Sequence, residues 1–318
     1  MKILANDGID GKGKAALESM GCTVLTEKVA QDALAAFINE NNIDGLLVRS
    51  ATTARAALVD ACPNLKFIGR GGVGIDNIDA VYAREKGIDV FNTPASSSAS
   101  VAELAMAFMF ASNRFLYQAG KAMPETGAEQ FEALKKAYGK GTEVKGKTLG
   151  IIGFGRIGQA LAEYALGCGM IVLFNDRKSD DRVLTLKIQG QDVKVTLRIS
   201  SFEDIIKNSD FISLHVPKQA DGKAVIGMAE MRQMKSNAVI INTSRGGSVN
   251  EAELMEALDA GIIGGACLDV FENEPKPLPA LLTHPKILTT PHIGAATGEA
   301  QERIGLEIAE NVKRIMNS

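Results

Sequence analysis

Short apolar runs that alternate with amphipathic segments constrain the fold of this chain more than any other feature. The runs in its N-terminal part are residues 3–5, 23–25, 45–48, 67–69 and 88–91. Repetition of strand, helix and strand is typical of crossover connections, which pack helices on both faces of a parallel sheet. The sequence therefore predicts an α/β fold that begins with a doubly wound parallel sheet.

A second series of apolar runs follows at residues 149–152, 171–175, 211–214, 238–242, 265–268 and 287–289. It predicts a second doubly wound domain. After it, Thr297 starts a helical pattern with Ile304 and Ile308 on one stripe and no strand behind it. Because chain termini often lie close together, we expect this helix to dock on the N-terminal domain. The second domain is then inserted into the first, with predicted boundaries at 1–97 plus 292–318 for the outer domain and 98–291 for the inner one.

Composition excludes several classes of protein. Of 318 residues, 46% are hydrophobic and 23% charged, which is ordinary for globular domains. The net charge of −3 is spread along the chain without a cationic block, so nucleic acid is not an expected partner. The cysteines lie far apart, which predicts neither a metal site nor a redox pair. No signal peptide and no membrane span are recognisable, so we expect a cytoplasmic protein.

The segment between the two series predicts a hinge followed by an unusual helix. Residues 92–98 are turn formers and small polar residues. Ser100 precedes Glu103 by three positions, a capping-box pattern that predicts a helix start. The helix, 100–116, is apolar nearly all round, so we expect it to pack on its own domain and on a second copy in a homodimer. The alternative is a wholly internal helix.

Two segments depart from the strand and helix alternation. Residues 126–147 are polar, with Phe131, Leu134 and Tyr138 indicating a short helix. Residues 182–200 alternate apolar and polar positions on both sides of Gln189-Gly190-Gln191. That pattern predicts a β-hairpin rather than a helical crossover.

Residues 153–158 read Gly-Phe-Gly-Arg-Ile-Gly, a G-x-G-x-x-G motif. By itself the motif is weak evidence, because glycine is frequent in this chain. Here an apolar run leads directly into it, a helical stretch leads out of it, and Asp176 closes the next predicted strand. Together these features are the fingerprint of a Rossmann dinucleotide-binding domain.

Each position of the fingerprint has a physical task. Gly153 permits the tight turn, Gly155 lets the backbone approach a pyrophosphate, and Gly158 lets the helix pack on the strand. The helix N-terminus favours phosphate charge. A carboxylate at Asp176 would bind ribose hydroxyls and repel a 2′-phosphate, which favours NAD over NADP, although the neighbouring Arg177 could tolerate the phosphorylated cofactor.

Hydride transfer to such a cofactor requires an acid-base group and a cation for the substrate carboxylate. The histidines are His215, His284 and His292, and the position of His292, where the chain crosses back to the first domain, favours it as the base. Arg245 follows a strand end and could grip a carboxylate with two hydrogen bonds. Glu274 could orient the imidazole of His292 and favour its protonated form. The alternative for Arg245 and Glu274 is a solvated loop side chain.

At these residues the chain resembles the D-isomer-specific 2-hydroxyacid dehydrogenases, and among them most closely the short-form D-3-phosphoglycerate dehydrogenases. The resemblance spans nearly the whole chain. The segments that carry it are residues 48–52, 69–79, 91–94, 100–104, 153–158, 243–247, 268–275 and 290–294.

The resemblance implies a Rossmann NAD domain inserted into a flavodoxin-like substrate domain. It implies a catalytic triad of Arg245, Glu274 and His292. The residues that it places around the cofactor are Gly153, Gly155, Arg156, Ile157, Gly158, Asp176, His215, Val216, Pro217, Thr243 and Asp269. Those that it places around the substrate are Arg49, Ser50, Arg70, Gly72, Val73 and Gly74, with the glycine loop for the carboxylate and the two arginines for a phosphate.

The implied reaction is NAD-dependent conversion of D-3-phosphoglycerate to 3-phosphohydroxypyruvate, the first step of serine biosynthesis. Glyoxylate or hydroxypyruvate reduction and D-lactate dehydrogenation remain alternatives, because the same triad serves any 2-hydroxy or 2-keto acid. A corepressor-like protein that senses NAD is the alternative from a different class. The family also dimerises through the 100–116 helix. No regulatory domain follows Ser318, so serine feedback through such a domain is not expected.

Overall fold

The computed structural model describes residues 1–178 and 180–317 in two compact units. One unit consists of Met1–Ser100 with Ala295–Ser318, and the other of Val101–Gly294. Ser318, the end of the predicted outer domain, lies outside the described residues, as does Ser179. The predicted assignment of substrate and cofactor roles to the two domains stays a prediction.

Helices and strands alternate along both units. The first elements are β1 (Lys2–Ala5), α1 (Gly11–Ser19), β2 (Thr23–Leu25), α2 (Leu34–Glu40), β3 (Gly45–Val48), α3 (Ala56–Ala61), β4 (Phe67–Arg70), α4 (Ala80–Glu85), β5 (Asp89–Asn92) and α5 (Ser98–Asn113). They are followed by α6 (Leu116–Tyr138), β6 (Thr148–Ile152), α7 (Arg156–Gly167), β7 (Ile171–Asn175), β8 (Arg182–Ile188), β9 (Gln191–Leu197), α8 (Phe202–Asn208) and β10 (Phe211–Leu214). The last are α9 (Met228–Met231), β11 (Val239–Asn242), α10 (Glu251–Asp259), β12 (Gly265–Leu268), α11 (Pro279–Thr283), β13 (Ile287–Thr289) and α12 (Gly298–Met316).

The first unit is built on a parallel sheet of five strands in the order β2-β1-β3-β4-β5. This is the flavodoxin-like order, with its switch point between β1 and β3. All four residues of β3 are buried, as expected for a strand that is covered by helices on both faces.

Helix α12 docks on this unit, as the sequence predicted. Thr297 caps it by accepting a hydrogen bond from the Ala300 N–H, and Ile304 and Ile308 are buried in the same cluster as α1. A Cβ atom on Gly13 of α1 would lie 2.4 Å from the Gly305 Cα atom. Paired glycines therefore allow the two helices to cross in backbone contact.

The second unit contains a parallel sheet of six strands in the order β13-β12-β11-β10-β6-β7. Ile199 adds one isolated parallel bridge to Phe174 of β7, where the Rossmann order places a third strand. The predicted fold class, two doubly wound parallel sheets, is confirmed. The ends of β6 and β10 meet at the switch point of this sheet, where ligands bind in such folds.

The predicted hairpin at residues 182–200 is confirmed. Strands β8 and β9 pair antiparallel through a two-residue turn, Gln189 (φ 51°) and Gly190 (φ 79°). Positive φ at both turn residues matches the twist of a tight hairpin. Leu184 and Leu197 at its base are buried in the core of the second unit.

The predicted capping box is wrong. Helix α5 begins at Ser98, so Ser100 lies in its first turn and its hydroxyl pairs with that of Thr297 at 2.8 Å. The Glu103 carboxylate accepts a hydrogen bond from Tyr164 at 2.9 Å instead of capping the helix. The sequence pattern did not predict these contacts, because residues from elsewhere in the fold compete for hydrogen bonds with the same short polar side chains.

Helix α5 is covered by its own chain over most of its surface. Ala102, Ala105 and Met109 are fully buried, whereas Phe110 is 40% exposed. With Glu103, which is also exposed, Phe110 lies on a narrow exposed strip. Packing on a second copy through this helix stays a prediction.

The prediction of a short helix within residues 126–147 is wrong in extent. Helix α6 runs from Leu116 to Tyr138, with a bend at Gln130 and Pro124 inside it. Gly127 is the residue of α6 that is buried, so the helix has no apolar stripe that faces the core. Without such a stripe, its length cannot be predicted from the sequence. Among the described residues, no helix combines the length and apolar character needed to cross a bilayer.

Candidate active site

The predicted dinucleotide motif lies between β6 and α7 in the second unit. Gly153 has φ 92°, and a Cβ atom there would lie 2.4 Å from the His215 carbonyl oxygen. A Cβ atom on Gly158 would lie 2.4 Å from the Gly153 carbonyl oxygen. A Cβ atom on Gly155 would meet nothing within 4 Å. Two glycines thus serve close packing, while the third leaves open space above the loop.

Helix α7 begins directly after this open space. Its first residues are Arg156 and Ile157, and the backbone N–H groups of a first helical turn lack intrahelical acceptors. Together with the positive end of the helix dipole, they form an arrangement that suits a pyrophosphate.

The carboxylate of Asp176 reaches the same loop. Its oxygens accept hydrogen bonds from the Phe154 N–H at 2.8 Å and from the Lys178 N–H at 3.2 Å. Asp176 follows β7 immediately, so the glycine loop and the acid lie at the carboxyl ends of adjacent strands. This is the position from which an acid can bind ribose hydroxyls.

Two buried polar atoms near the same sheet edge lack partners among the described residues. They are Nδ1 of His215, after β10, and Oγ1 of Thr243, after β11. The His215 Nε2 atom pairs with the Ser213 hydroxyl at 2.9 Å. Burial lowers the pKa of His215 to about 4, so its ring is neutral at pH 7. Orphaned polar atoms at strand ends fit a site for a polar ligand, and Val216 and Pro217 continue this edge.

Asp269, which the resemblance places around the cofactor, makes its hydrogen bonds to the loop after β13, and its role toward the cofactor stays a prediction. Its buried carboxylate accepts hydrogen bonds from the Thr290 hydroxyl at 2.6 Å and from the N–H groups of Ile293 and Gly294, both at 2.8 Å. It therefore holds the loop that carries His292.

His292 and Glu274 form a hydrogen-bonded pair. The Nδ1 atom of His292 lies 2.8 Å from Oε2 of Glu274, and both side chains are partly exposed. Burial alone would raise the pKa of Glu274, but the hydrogen bond from His292, with smaller contributions from the Phe271 N–H and the Arg245 charge, lowers it below the ordinary value. His292 has φ 56°, an uncommon conformation for a residue with a side chain.

Arg245 belongs to the same group of residues. It follows β11, donates from a guanidinium nitrogen to the Ser244 carbonyl at 2.6 Å, and contributes positive charge at Glu274. His284, by contrast, precedes β13 and pairs with Asp259, at the opposite end of the strand from His292. Arg245, Glu274 and His292 are thus brought together, and His284 is separated from them.

In the first unit, Arg70 connects the predicted substrate residues. Its side chain donates to the Gly74 carbonyl, to the Ser50 hydroxyl at 3.3 Å and to the Arg49 carbonyl at 3.4 Å. The Gly72 N–H donates to the Arg70 carbonyl. In the described part of the chain, the N–H groups of Val73 and Gly74 have no acceptor, so this loop can still offer two donors.

A cavity of about 490 Å³ lies beside Arg49 in this unit. It is lined by Asn6, Asp7, Gly8, Thr26, Lys28, Arg49, Ser50 and Ala51.

Sequence reasoning missed Asp7 and Lys28. Asp7 accepts hydrogen bonds from the N–H groups of Arg49 (2.6 Å) and Thr52 (3.0 Å) and pairs with Lys28. The position of Asp7 just after a buried strand was an available signal.

Fold and site together define a nicotinamide-dependent dehydrogenase, with a histidine–glutamate pair, an arginine and a Rossmann glycine loop in the same unit. The model of the D-isomer specific 2-hydroxyacid dehydrogenase, NAD binding domain, matches residues 106–294. The chain is 40% identical over 315 residues to a hydroxypyruvate reductase of Thermotoga maritima, covering 98% of this chain and 97% of that protein. The chain therefore belongs to the D-isomer-specific 2-hydroxyacid dehydrogenase family.

Other relatives are longer than this chain. A D-3-phosphoglycerate dehydrogenase of Methanocaldococcus jannaschii is 38% identical over 99% of this chain, which spans 57% of that protein. The crystal structure of the TT0316 protein from Thermus thermophilus superimposes with a TM-score of 0.84 at 30% identity, covering 100% of this chain and 97% of that one. The fold thus extends over the whole chain, whereas the relatives differ in the activity that they are named for.

Proposed function

We propose that this protein converts D-3-phosphoglycerate to 3-phosphohydroxypyruvate with NAD, a reaction that begins serine biosynthesis. The observation that carries the proposal is the hydrogen bond of 2.8 Å between His292 and Glu274, with the Arg245 charge beside it. Such a group supplies an oriented base and a cation for the carboxylate of a hydroxy acid.

His292 is proposed as the acid-base group. Because its Nδ1 atom is bonded to Glu274, its Nε2 atom is the one that accepts the hydroxyl proton of the substrate. The ionised Glu274 stabilises the imidazolium that results. Arg245 holds the substrate carboxylate and polarises the carbonyl that forms. NAD, when bound, would be the hydride acceptor.

NAD is proposed over NADP because of Asp176. Its carboxylate lies at the glycine loop, where it would accept hydrogen bonds from ribose hydroxyls and repel a 2′-phosphate. Arg177 is exposed beside it, so the ratio of kcat/KM for NAD and NADP is the quantity that tests this preference.

The preference for a phosphorylated substrate rests on the first unit. Arg49 and Ser50 line the cavity of about 490 Å³ together with the Lys28–Asp7 ion pair, and a guanidinium beside a hydroxyl suits a phosphate. The N–H groups of Val73 and Gly74 are proposed to bind the substrate carboxylate. Arg70 is proposed to hold the loop of residues 49–50 and the loop of residues 72–74 in place through its hydrogen bonds.

Reduction of hydroxypyruvate is a second candidate, favoured by one observation. The Thermotoga maritima relative, named for that activity, matches this chain over 97% of its length. The unphosphorylated keto acid would use the same triad and leave the phosphate site unused.

A kinetic comparison separates the two candidates. We would follow NADH oxidation with 3-phosphohydroxypyruvate and with hydroxypyruvate, in the wild type and in Arg49→Met. The proposal expects a kcat/KM at least about tenfold higher for the phosphorylated substrate, the size of one good charged hydrogen bond, and loss of this preference in the variant. Equal values in the wild type would favour hydroxypyruvate reduction, and cofactor binding without any turnover would indicate an NAD-sensing binding protein.

A homodimer and a cytoplasmic location are also proposed. Phe110 on α5 and Leu116, Tyr117 and Phe131 on α6 are exposed apolar side chains, and a second copy of the chain would remove them from water.

A further inference from the structure

The side chains of Glu251 and Glu272 each accept a hydrogen bond from the other residue's backbone N–H. The Glu272 N–H donates to Oε1 of Glu251 at 2.7 Å, and the Glu251 N–H donates to Oε1 of Glu272 at 3.0 Å. Glu251 is the first residue of α10 and is 3% exposed. We call this reciprocal pair of hydrogen bonds the glutamate clasp. It joins the start of α10 to the loop after β12.

The clasped loop is the one that carries Glu274. The Oε1 atom of Glu274 accepts a hydrogen bond from the Phe271 N–H at 3.0 Å, while its Oε2 atom pairs with His292. Residues 271–274 thus form a short bridge with the clasp at Glu272 on one side and the His292 pair on the other.

The same bridge is in contact with the Arg245 loop. A Cβ atom on Gly246 would lie 1.8 Å from the Phe271 carbonyl oxygen and 2.9 Å from the Glu272 nitrogen. Such distances are impossible for a real side chain, so the two backbones touch. A shift of residues 271–272 would therefore displace Arg245 as well as Glu274.

Glu251 is an unusual residue for a purely structural hydrogen bond. Its Oε2 atom is buried and has no partner among the described residues. Burial, supported by the charges of Glu272 and Glu274, raises the pKa of Glu251. A buried carboxyl beside two other carboxylates costs free energy, and an aliphatic residue at a helix start would avoid that cost. Its presence is explained if the loop needs this acceptor.

We propose that Glu251 is a positioning residue for the dehydrogenase reaction, which fixes the loop of residues 271–274 through the clasp and thereby sets the geometry of the Glu274–His292 pair. This inference rests on the catalytic role proposed above for Glu274 and His292. Glu251 touches neither of their side chains and acts through the backbone.

The test compares Glu251→Ala, which removes the acceptor, with Glu251→Gln, which keeps an oxygen for the Glu272 N–H. Glu251→Ala is expected to lower kcat about tenfold with the dissociation constant of NADH unchanged within twofold, because the glycine loop is untouched. Because a loosened pair weakens the hydrogen bond that lowers the pKa of Glu274, this variant should also move the limb of the pH–rate profile set by that carboxylate toward higher pH. Glu251→Gln should restore most of the rate. Glu256→Ala, an exposed glutamate on the same helix, is the control and should behave as wild type.

A double-mutant cycle separates positioning from general structural damage. If Glu251 acts through Glu274, then Glu251→Ala should have little further effect on kcat in the Glu274→Ala background. Multiplicative losses would overturn the inference, as would normal turnover in a folded Glu251→Ala variant. Should that variant fail to fold, Glu272→Ala breaks one bond of the clasp at an exposed residue and is expected to show the same shift of the profile.

The cycle also distinguishes this inference from the proposed function. If Glu274→Ala itself has normal turnover, the proposed role of Glu274 fails. If Glu274→Ala is impaired and the losses multiply, only the role of Glu251 fails.

Discussion

At the scale of single residues, the properties of this site come from charges and hydrogen bonds that act over a few ångströms. Glu274 is held ionised by His292 and Arg245, whereas Glu251, on the same loop system, is pushed toward its neutral form by burial. The surroundings thus shift the pKa values of these two glutamates in opposite directions. In this way one fold can give two side chains of the same type different functions.

His292→Asn and Arg245→Ala are each expected to lower turnover about a hundredfold or more, the usual scale for loss of a positioned acid or base. Steady-state NADH oxidation measures this. The control is His284→Asn, because His284 lies at the other end of β13 and should leave the rate unchanged. Near-normal rates in either of the first two variants would show that another residue acts as the base or the anchor.

His215 should make stability depend on pH. Its folded pKa is about 4, because burial disfavours the charged ring, whereas the pKa in the unfolded chain is about 6.5. As pH falls from 6.5 toward 4, the unfolded state takes up a proton that the folded state does not. Up to about 3 kcal/mol of unfolding free energy is then lost.

Replacement of His215 by Asn removes this proton uptake. Urea titrations at pH 7 and pH 4.5 give the free energy of unfolding of the wild type and of His215→Asn. Between pH 7 and pH 4.5, the wild type should lose more of this free energy than the variant does. A difference that is constant with pH would contradict the buried neutral ring.

At the scale of elements, close backbone approaches decide how helices pack. Helices α1 and α12 cross at Gly13 and Gly305, where no Cβ atom fits. Backbone cannot move aside as a flexible side chain can, so this contact tolerates no added methyl group.

Gly13→Ala is expected to destabilise the protein by about 1–3 kcal/mol, because the helices must separate. Gly11→Ala is the matched control on the same helix, since a Cβ atom there would meet nothing within 4 Å. It should be neutral or slightly stabilising. Thermal unfolding of both variants measures the difference, and equal melting temperatures would refute the packing argument.

At the scale of the whole molecule, the exposed apolar residues of α5 and α6 require an explanation. Phe110 is 40% exposed and Leu116 57% exposed, and both lie in the segment that joins the first series of strands to the second. A second copy of the chain is the occupant that we propose for this surface.

Phe110→Glu is expected to weaken the proposed homodimer, because a buried unpaired charge at an interface is costly. Size-exclusion chromatography with light scattering across a concentration series measures the mass. Val81→Glu provides the control, since Val81 is 70% exposed on α4 and should leave the mass unchanged. A monomeric wild type at all concentrations would remove the proposal.

Much of the fold was predictable because it depends on local patterns. The strands of both sheets were located to within one or two residues, since a strand covered on both faces must be a continuous apolar run. The hairpin was predictable from its alternation and its turn residues. Helix α6 was not, because a helix that buries only Gly127 leaves no stripe in the sequence.

The amino-acid sequence by itself determined the two parallel sheets, the glycine loop and the residue types that chemistry at strand ends requires. Those features follow from periodicity and from the steric needs of glycine, which are properties of neighbouring residues. Only the tertiary structure decided that Ser100 pairs with Thr297 rather than capping a helix, that Asp269 holds the His292 loop, and that Glu251 clasps Glu272. Each of these contacts joins residues far apart in the chain, and a hydrogen bond between two such groups leaves no trace in the local sequence.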